Sequence, residues 1–413
     1  MSSIRRVIAS LATGCALLGA PPWSAAQTSD DLFDSSALHE VRLFINSRDL
    51  AQLRETYTEN TFYPADLVWR GIRVRNVGVR SRGFGSRNPV KLGLLIDVDY
   101  YTTGQQFLGL SGLVLDNLWQ DPAMIREYLA MAFFNRMGHP APRESFARLY
   151  INNVYQGVYG LVEDIDPLFV RRAFGEDQGT LFEFHWVFPF YGEDLGDDLD
   201  AYKPLFEPRT HRLDPDAVLW GPIRDLWQRV NDPDDAVWRD GVARYMDLEQ
   251  FVTQAAIENY IADNDGLLGY AGMNNFYLYR DAGSERHHVL PWDKDSAFLQ
   301  SDFPLLPAIA SNQLMRRALA YDDLRARYEG VLAACAEVDR TESWMAARID
   351  EAAAVIMGWA HHDPLKPVSN EAFDTALDEL RAFAQRRAAY VASELSRMIG
   401  GSALTAPAGS RNR

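Results

Sequence analysis

The residues best suited to chemistry in this sequence lie between Ile261 and Phe298. Two D-x-D pairs, Asp263/Asp265 and Asp293/Asp295, flank a carboxamide pair, Asn274 and Asn275. Phe276–Arg280 and His287–Pro291 read as strands joined by a polar turn, a hairpin that carries the second acidic pair back towards the first. Oxygen donors of this kind suit a hard divalent cation, which binds through one or two carboxylates together with substrate phosphate. A single D-x-D is more often a solvated turn. Two of them around one hairpin, beside Trp292 and Phe298, favour a site.

Upstream, Ser81-Arg82-Gly83-Phe84-Gly85-Ser86-Arg87 sits between two strand patterns. Glycines let backbone amides approach an anion, and the arginines add charge-assisted bonds. The segment is neither a Walker A motif nor a complete G-x-G-x-x-G loop. Val90–Asp97 reads as a strand carrying Lys91. Asp121-Pro122 opens a helix that contains Glu127 and ends at Gly138. Ala147–Ile151 and Val158–Glu163 form a hairpin around Asn152-Asn153. A helix from Asp247 ends at Asp263 and Asp265.

Taken together, ADND-G, N-N-F-Y-L-Y and L-P-W-D-K-D resemble the core of the spore-coat protein H (CotH) kinase family of atypical protein kinases. VRSRGFGSRNPVK at 79–91, DPAMIREYLA at 121–130 and ARLYINNVYQGVYGLVEDID at 147–166 extend the resemblance in the same order, over roughly residues 38 to 300. The resemblance implies an α+β, bilobal protein-kinase-like fold with a β-rich N-lobe and a mainly helical C-lobe. It also implies ATP and Mg2+ (or Mn2+) as cofactors and a protein Ser/Thr acceptor. On the matching positions, Lys91, Arg82, Gly83, Gly85, Ser86 and Arg87 would hold phosphates. Glu127 would pair with Lys91, and Glu163 would contact the base or link the lobes. Asp293, Asn275 and Asp295 would hold the metal. Asp265, or Asp263, would orient the acceptor hydroxyl. The chain departs from ordinary kinases in lacking H-R-D and D-F-G, which leaves open the working carboxylate of each pair. The competing readings are a non-catalytic kinase-like binding protein, another nucleotide transfer such as adenylylation or glutamylation, and a carboxylate-pair glycosidase. The last leaves Lys91 and the Gly/Arg turn without a role.

A chain of 413 residues, 47% hydrophobic, can bury a large core. Its net charge of −16 speaks against nucleic acid or an anionic membrane as partner. Arg5-Arg6, the apolar run from Val7 to Ala20 and Ser24-Ala25-Ala26 read as a signal peptide over 1–26, hence export to a periplasm or the exterior. Cys15 admits a weaker lipoprotein alternative. Cys335, the only other cysteine, reads as a core residue. The expected organisation is a flexible leader at 27–37, the N-lobe at 38–185, an insertion with helices at 186–246 and the C-lobe at 247–399. A disordered tail is expected at 400–413, and no transmembrane span in the mature chain.

Overall fold

The computed structural model describes residues 27–405 apart from Ala308, with side chains through Met398. The signal-peptide and Cys15 readings lie outside the described residues. Seven strands close into a barrel: β1 (Leu38–Ile45), β2 (Tyr63–Trp69), β3 (Ile72–Ser81), β4 (Leu94–Asp97), β5 (Gly112–Asp116), β6 (Glu144–Ile151) and β7 (Val154–Glu163). Their order is β1-β2-β3-β4-β5-β7-β6, and closure comes from β1 running parallel to β6, Leu38 opposite Phe146 through Leu43 opposite Ile151. Strand periodicity explains the filling. Val41, Leu43 and Ile45 alternate inwards along β1, and Leu67, Trp69, Val77, Val79, Leu94 and Ile96 meet them from the next strands.

A second sheet, in the order β11-β10-β8-β9, consists of β8 (Thr180–Phe184), β9 (Phe206–Pro208), β10 (Phe276–Arg280) and β11 (His287–Pro291). β8 falls within the stretch expected to form the first β-rich part, yet it pairs with β10, Thr180 opposite Arg280. Leu95 and Val114, on the outer face of the barrel, pack with Leu181, Tyr277, Leu290 and Trp292 of this sheet. That apolar seam fixes the two sheets against each other, with a cleft opening at its edge. The helix Leu248–Tyr260 is buried on almost every side, as a helix inside a core must be, and its C-terminal end delivers Asp263 and Asp265.

Three further expectations are corrected. Residues 27–37 are not a free leader: the helical turn Ser29–Leu32 docks on the barrel, with Leu32 buried and its carbonyl accepting Ser145 Oγ–H at 2.8 Å. The last helix, Asn370–Thr405, runs beyond residue 400, where the tail was expected to begin. The strand expected at Val90–Asp97 starts only at Leu94, because residues 88–91 form a loop tied by Asn88 Oδ1 to the Val90 and Lys91 N–H groups.

Lys91 therefore does not face the cleft. Its ammonium is fully buried 2.8 Å from Asp363, whose carboxylate also accepts the Val158 and Leu365 N–H groups. The Lys91–Glu127 pair expected from the resemblance is replaced by a clamp between the barrel and the loop that precedes the last helix. Burial lowers the Lys91 pKa, and Asp363 opposes the shift. Removing one partner of such a pair leaves a buried charge uncompensated. Lys91→Met should thus cost about 3–5 kcal/mol of stability in urea unfolding while nucleotide affinity, measured on the folded fraction, stays unchanged. Lost affinity with intact stability would return Lys91 to the nucleotide site.

Candidate active site

The hairpin β10–β11 does what its sequence suggests. Phe276 pairs with Pro291, so Asn275 and Trp292 leave the sheet side by side, joined by a Trp292 N–H to Asn275 carbonyl bond of 3.1 Å. Asn275 and Asp293 both adopt left-handed backbone, at φ 56° and 50°. Asparagine and aspartate are the non-glycine residues that tolerate this region best, and such positions cluster where side chains must be aimed. Asn275 Nδ2 donates to Asp265 Oδ2 at 3.0 Å, and Asn274 Nδ2 donates to both Asp265 oxygens at 3.2 Å. The carboxylate from the helix end is thereby fixed against the hairpin.

Asp263 is held differently. Its Oδ2 lies 3.0 Å from the Lys294 ammonium, which also sits 2.9 Å from Glu258 and donates to the Asn275 carbonyl at 3.1 Å. Lys294 is completely buried. Burial would lower its pKa, but Asp263 and Glu258 outweigh that and hold it above the ordinary lysine value. Asp263 Oδ1 accepts the Asp265 N–H at 3.0 Å, so this ion cluster positions Asp265. Of the two carboxylates left open by the sequence, Asp265 lines the cleft and Asp263 lies behind it. Arg387, buried on the last helix, donates to the carbonyls of Asn259 and Tyr260 and closes off the C-terminal end of the helix that leads into this loop.

The cleft has a volume of about 1140 Å³. Leu95 and Val114 line it from the barrel, and Tyr277 and Trp292 from the second sheet. Asp265, Asn274, Asn275, Asp293 and Asp295 line it as well, as do Arg82, Gly83, Gly85, Ser86 and Arg87 of the loop that follows β3. Arg82 follows β3 and bonds Asp116 at the end of β5 at 3.1 Å. It feels the charges of Asp116, Asp293 and Glu127, which raise its pKa against the effect of burial. The acid that Arg82 pairs with is Asp116, and neither Arg82 nor Lys91 forms an ion pair with Glu127 among the described residues. Asn117 pins the Gly/Arg loop from below by donating to the Ser86 and Lys91 carbonyls at 2.9 and 2.8 Å. At Gly83, φ is 101° and an added Cβ would lie 2.4 Å from Ser86 Oγ, so only glycine suits this turn.

Glu163 does not line the cleft. Arg143 and Arg172 hold it at 2.7 and 2.6 Å, tying β7 to the start of β6 and to the helix Pro167–Phe174. Its neighbour Asp164 faces the cleft instead. Glu127 and Glu144 are both buried near Asp116 and Asp293, and burial followed by these like charges raises both acids well above the carboxylate range. Arg80 and Asp164 lie within quoted sequence blocks but were not singled out, and Arg209 carries no motif; all three line the cleft.

Burial raises Asp293 to about 6, with Asp116 and Asp265 adding to it and Arg82 opposing. Asp295 is pushed up to about 8 by burial, then by Asp293 and Asp116. An oxygen-rich set of carboxylates so unwilling to ionise together fits a hard divalent cation, with Asp293, Asp295 and Asn275 as the residues that would hold it. The sign of the pH dependence follows. These folded-state values exceed the unfolded ones, so the stability they contribute is present below the ordinary carboxylate range and lost as pH rises through about 6 and about 8. Mg2+ held by these carboxylates would compete with those protons. Its stabilising increment in thermal unfolding should therefore grow between pH 6 and 8, and an increment that shrinks with pH would place the cation elsewhere.

Carboxylates, carboxamides and arginines thus line one cleft of a mixed α+β protein. Residues 79–391 match the CotH kinase protein family, and the chain belongs to that family. It is 22% identical to the inner spore coat protein H of Bacillus subtilis over 88% of this chain and 99% of that protein. It is also 24% identical to the invasin CotH7 and 23% identical to the invasin CotH3 of Rhizopus delemar, over 68% and 76% of this chain. The matches span about half of those two proteins, 47% and 51%. Among solved structures, the Helicobacter pylori proinflammatory kinase CtkA aligns over 76% of this chain and 96% of that one, with 12% identity. The TM-score of 0.30 is too low to bear on fold or function. No described helix is long and apolar enough to cross a membrane.

Proposed function

We propose that this protein is an ATP- and Mg2+-dependent kinase that phosphorylates serine or threonine of a protein partner, and that it acts after export. The observation that carries the reading is the convergence of Asp265, Asp293, Asp295, Asn275 and Arg82 on one cleft. Phosphoryl transfer asks a protein mainly for positioning and charge compensation, which such a set can supply. Where the seam of Leu95, Val114, Tyr277 and Trp292 borders the cleft, it would offer an apolar edge to a nucleobase. Arg82 and the amides of the Gly/Arg loop would receive phosphate oxygens. Bound Mg2+ would supply charge neutralisation on those phosphates. Asp265, oriented by both carboxamides, would hold the acceptor hydroxyl and take up its proton.

Thermal unfolding with ATP, with and without Mg2+, tests the reading. A shift that requires both is expected. No shift under any condition would favour a binding protein built on the same fold.

A further inference from the structure

Five arginines line the cleft, and they fall into two groups. Arg82 is paired with Asp116 at 3.1 Å, Arg209 with Glu183 at 2.7 Å and Arg212 with Glu207 at 3.7 Å. Arg80 and Arg87 make no ion pair among the described residues. Instead they share one neutral acceptor, Asn60 Oδ1, at 3.1 and 2.5 Å. Arg87 gives three further donors to the carbonyls of Gly83, Tyr57 and Glu59, which leaves one Nη2–H. Arg80 gives only one further bond, to the Ser81 carbonyl at 2.9 Å, which leaves its Nε and Nη2 without a protein acceptor.

We propose that Arg80 and Arg87, bridged by Asn60, form an anion subsite for a phosphate-type group at the barrel side of the cleft, with Arg80 presenting the open donors. The proposal adds Arg80 and Asn60 to the site and rests on the kinase reading only for the identity of the natural anion.

Two guanidiniums held together by a neutral amide, without a carboxylate between them, repel each other until an anion joins them. Burial and the charges of Arg209, Arg87 and Arg82 push Arg80 down to about 10, although Glu183 opposes the shift, and burial and Arg82 lower Arg87. β3 aims Arg80 at the cleft: it pairs with Leu95 of β4, and Leu95 itself lines the cavity. Arg87 is fixed to the loop that follows Tyr57, so the two groups come from separate segments and are preset for one ligand. A planar fork with two open N–H groups suits phosphate oxygens better than a single carbonyl. The anion could be the distal part of a nucleotide's phosphate tail or an anionic side chain of the acceptor.

Tripolyphosphate, a probe without a base, keeps this subsite distinct from the kinase reading. Calorimetry on the full chain should show salt-sensitive binding that weakens roughly 10- to 100-fold in Arg80→Gln, the usual loss on removing a charge-assisted bond. Arg212→Gln, which removes a paired cleft arginine, should leave it nearly unchanged. If ATP loses affinity in Arg80→Gln while AMP does not, the anion is the nucleotide tail. If nucleotide affinities hold and the KM of a phosphorylated acceptor rises tenfold or more, the anion belongs to the acceptor. Unaltered tripolyphosphate binding in Arg80→Gln, or an equal loss in Arg212→Gln, overturns the subsite, as does a wild-type protein that binds no polyphosphate. Thermal unfolding of both variants checks that each is folded.

Discussion

Asp293→Ala should abolish the Mg2+-dependent part of nucleotide affinity, and transfer with it, whereas Asp265→Asn should keep that affinity and slow transfer by roughly 10²–10⁴-fold, the usual contribution of a positioned acid or base. The two carboxylates line one cleft, and the proposed reading gives them different tasks. Asp293 feels the charges of Asp116 and Arg82 and raises the pKa of Asp295, so a bound cation would relieve mutual repulsion there and meet phosphate. Asp265 accepts hydrogen bonds from Asn274 and Asn275 and is oriented by them. Asparagine at 265 is nearly isosteric, so the comparison isolates charge and proton acceptance. Calorimetry with a non-hydrolysable nucleotide, beside a transfer assay, separates binding from rate. The reverse pattern, with Asp265→Asn losing nucleotide and Asp293→Ala keeping it, would exchange the two roles.

Lys294→Met should be among the most destabilising single changes in the chain, by about 3–5 kcal/mol, because it strands two carboxylates in the core. Glu258 and Asp263 both lie within 3.0 Å of the ammonium, and all three side chains are almost fully buried. The loss reaches the site through structure. Asp263 fixes the Asp265 N–H, and Lys294 fixes the Asn275 carbonyl. Adding Glu258→Gln to Lys294→Met removes one of the stranded charges, so the double variant should recover part of the stability, a coupling that a sum of single losses lacks. Gly266→Ala offers a second route to the same cluster, since its Cβ would lie 2.5 Å from both Asp263 Oδ2 and Glu258 Oε2. Urea unfolding decides the matter. A loss below about 1 kcal/mol in Lys294→Met would mean that water reaches the cluster.

Local patterns carried much of this structure in the sequence. The β10–β11 hairpin, the helix before Asp263 and the strands β1, β2 and β3 follow from period and turn residues. Non-local pairing did not show. Closure of the barrel depends on β1 meeting β6, more than a hundred residues later, and nothing in either strand names its partner. β9 lies in the aperiodic stretch after residue 185 and exists only because β8 is there to pair with it. Lys91 misled for a physical reason. A lysine at the head of an apolar run looks like a strand residue facing solvent or ligand, but its counter-ion, Asp363, comes from the other end of the chain. Glu163 stands where a lobe connection was expected, yet Arg143 and Arg172 neutralise it. Arg82, expected from the resemblance to hold phosphates, does line the cleft, where it pairs with Asp116.

The most direct measurement is mass spectrometry of a serine-rich acceptor after incubation with the purified chain, ATP and Mg2+, with Asp265→Asn in parallel. The expected result is a phosphoryl group on serine or threonine, dependent on Mg2+ and reduced by the Asp265 change to the extent given above. An acceptor that stays unmodified although ATP binds, or that gains AMP or glutamate in place of phosphate, would contradict the kinase reading.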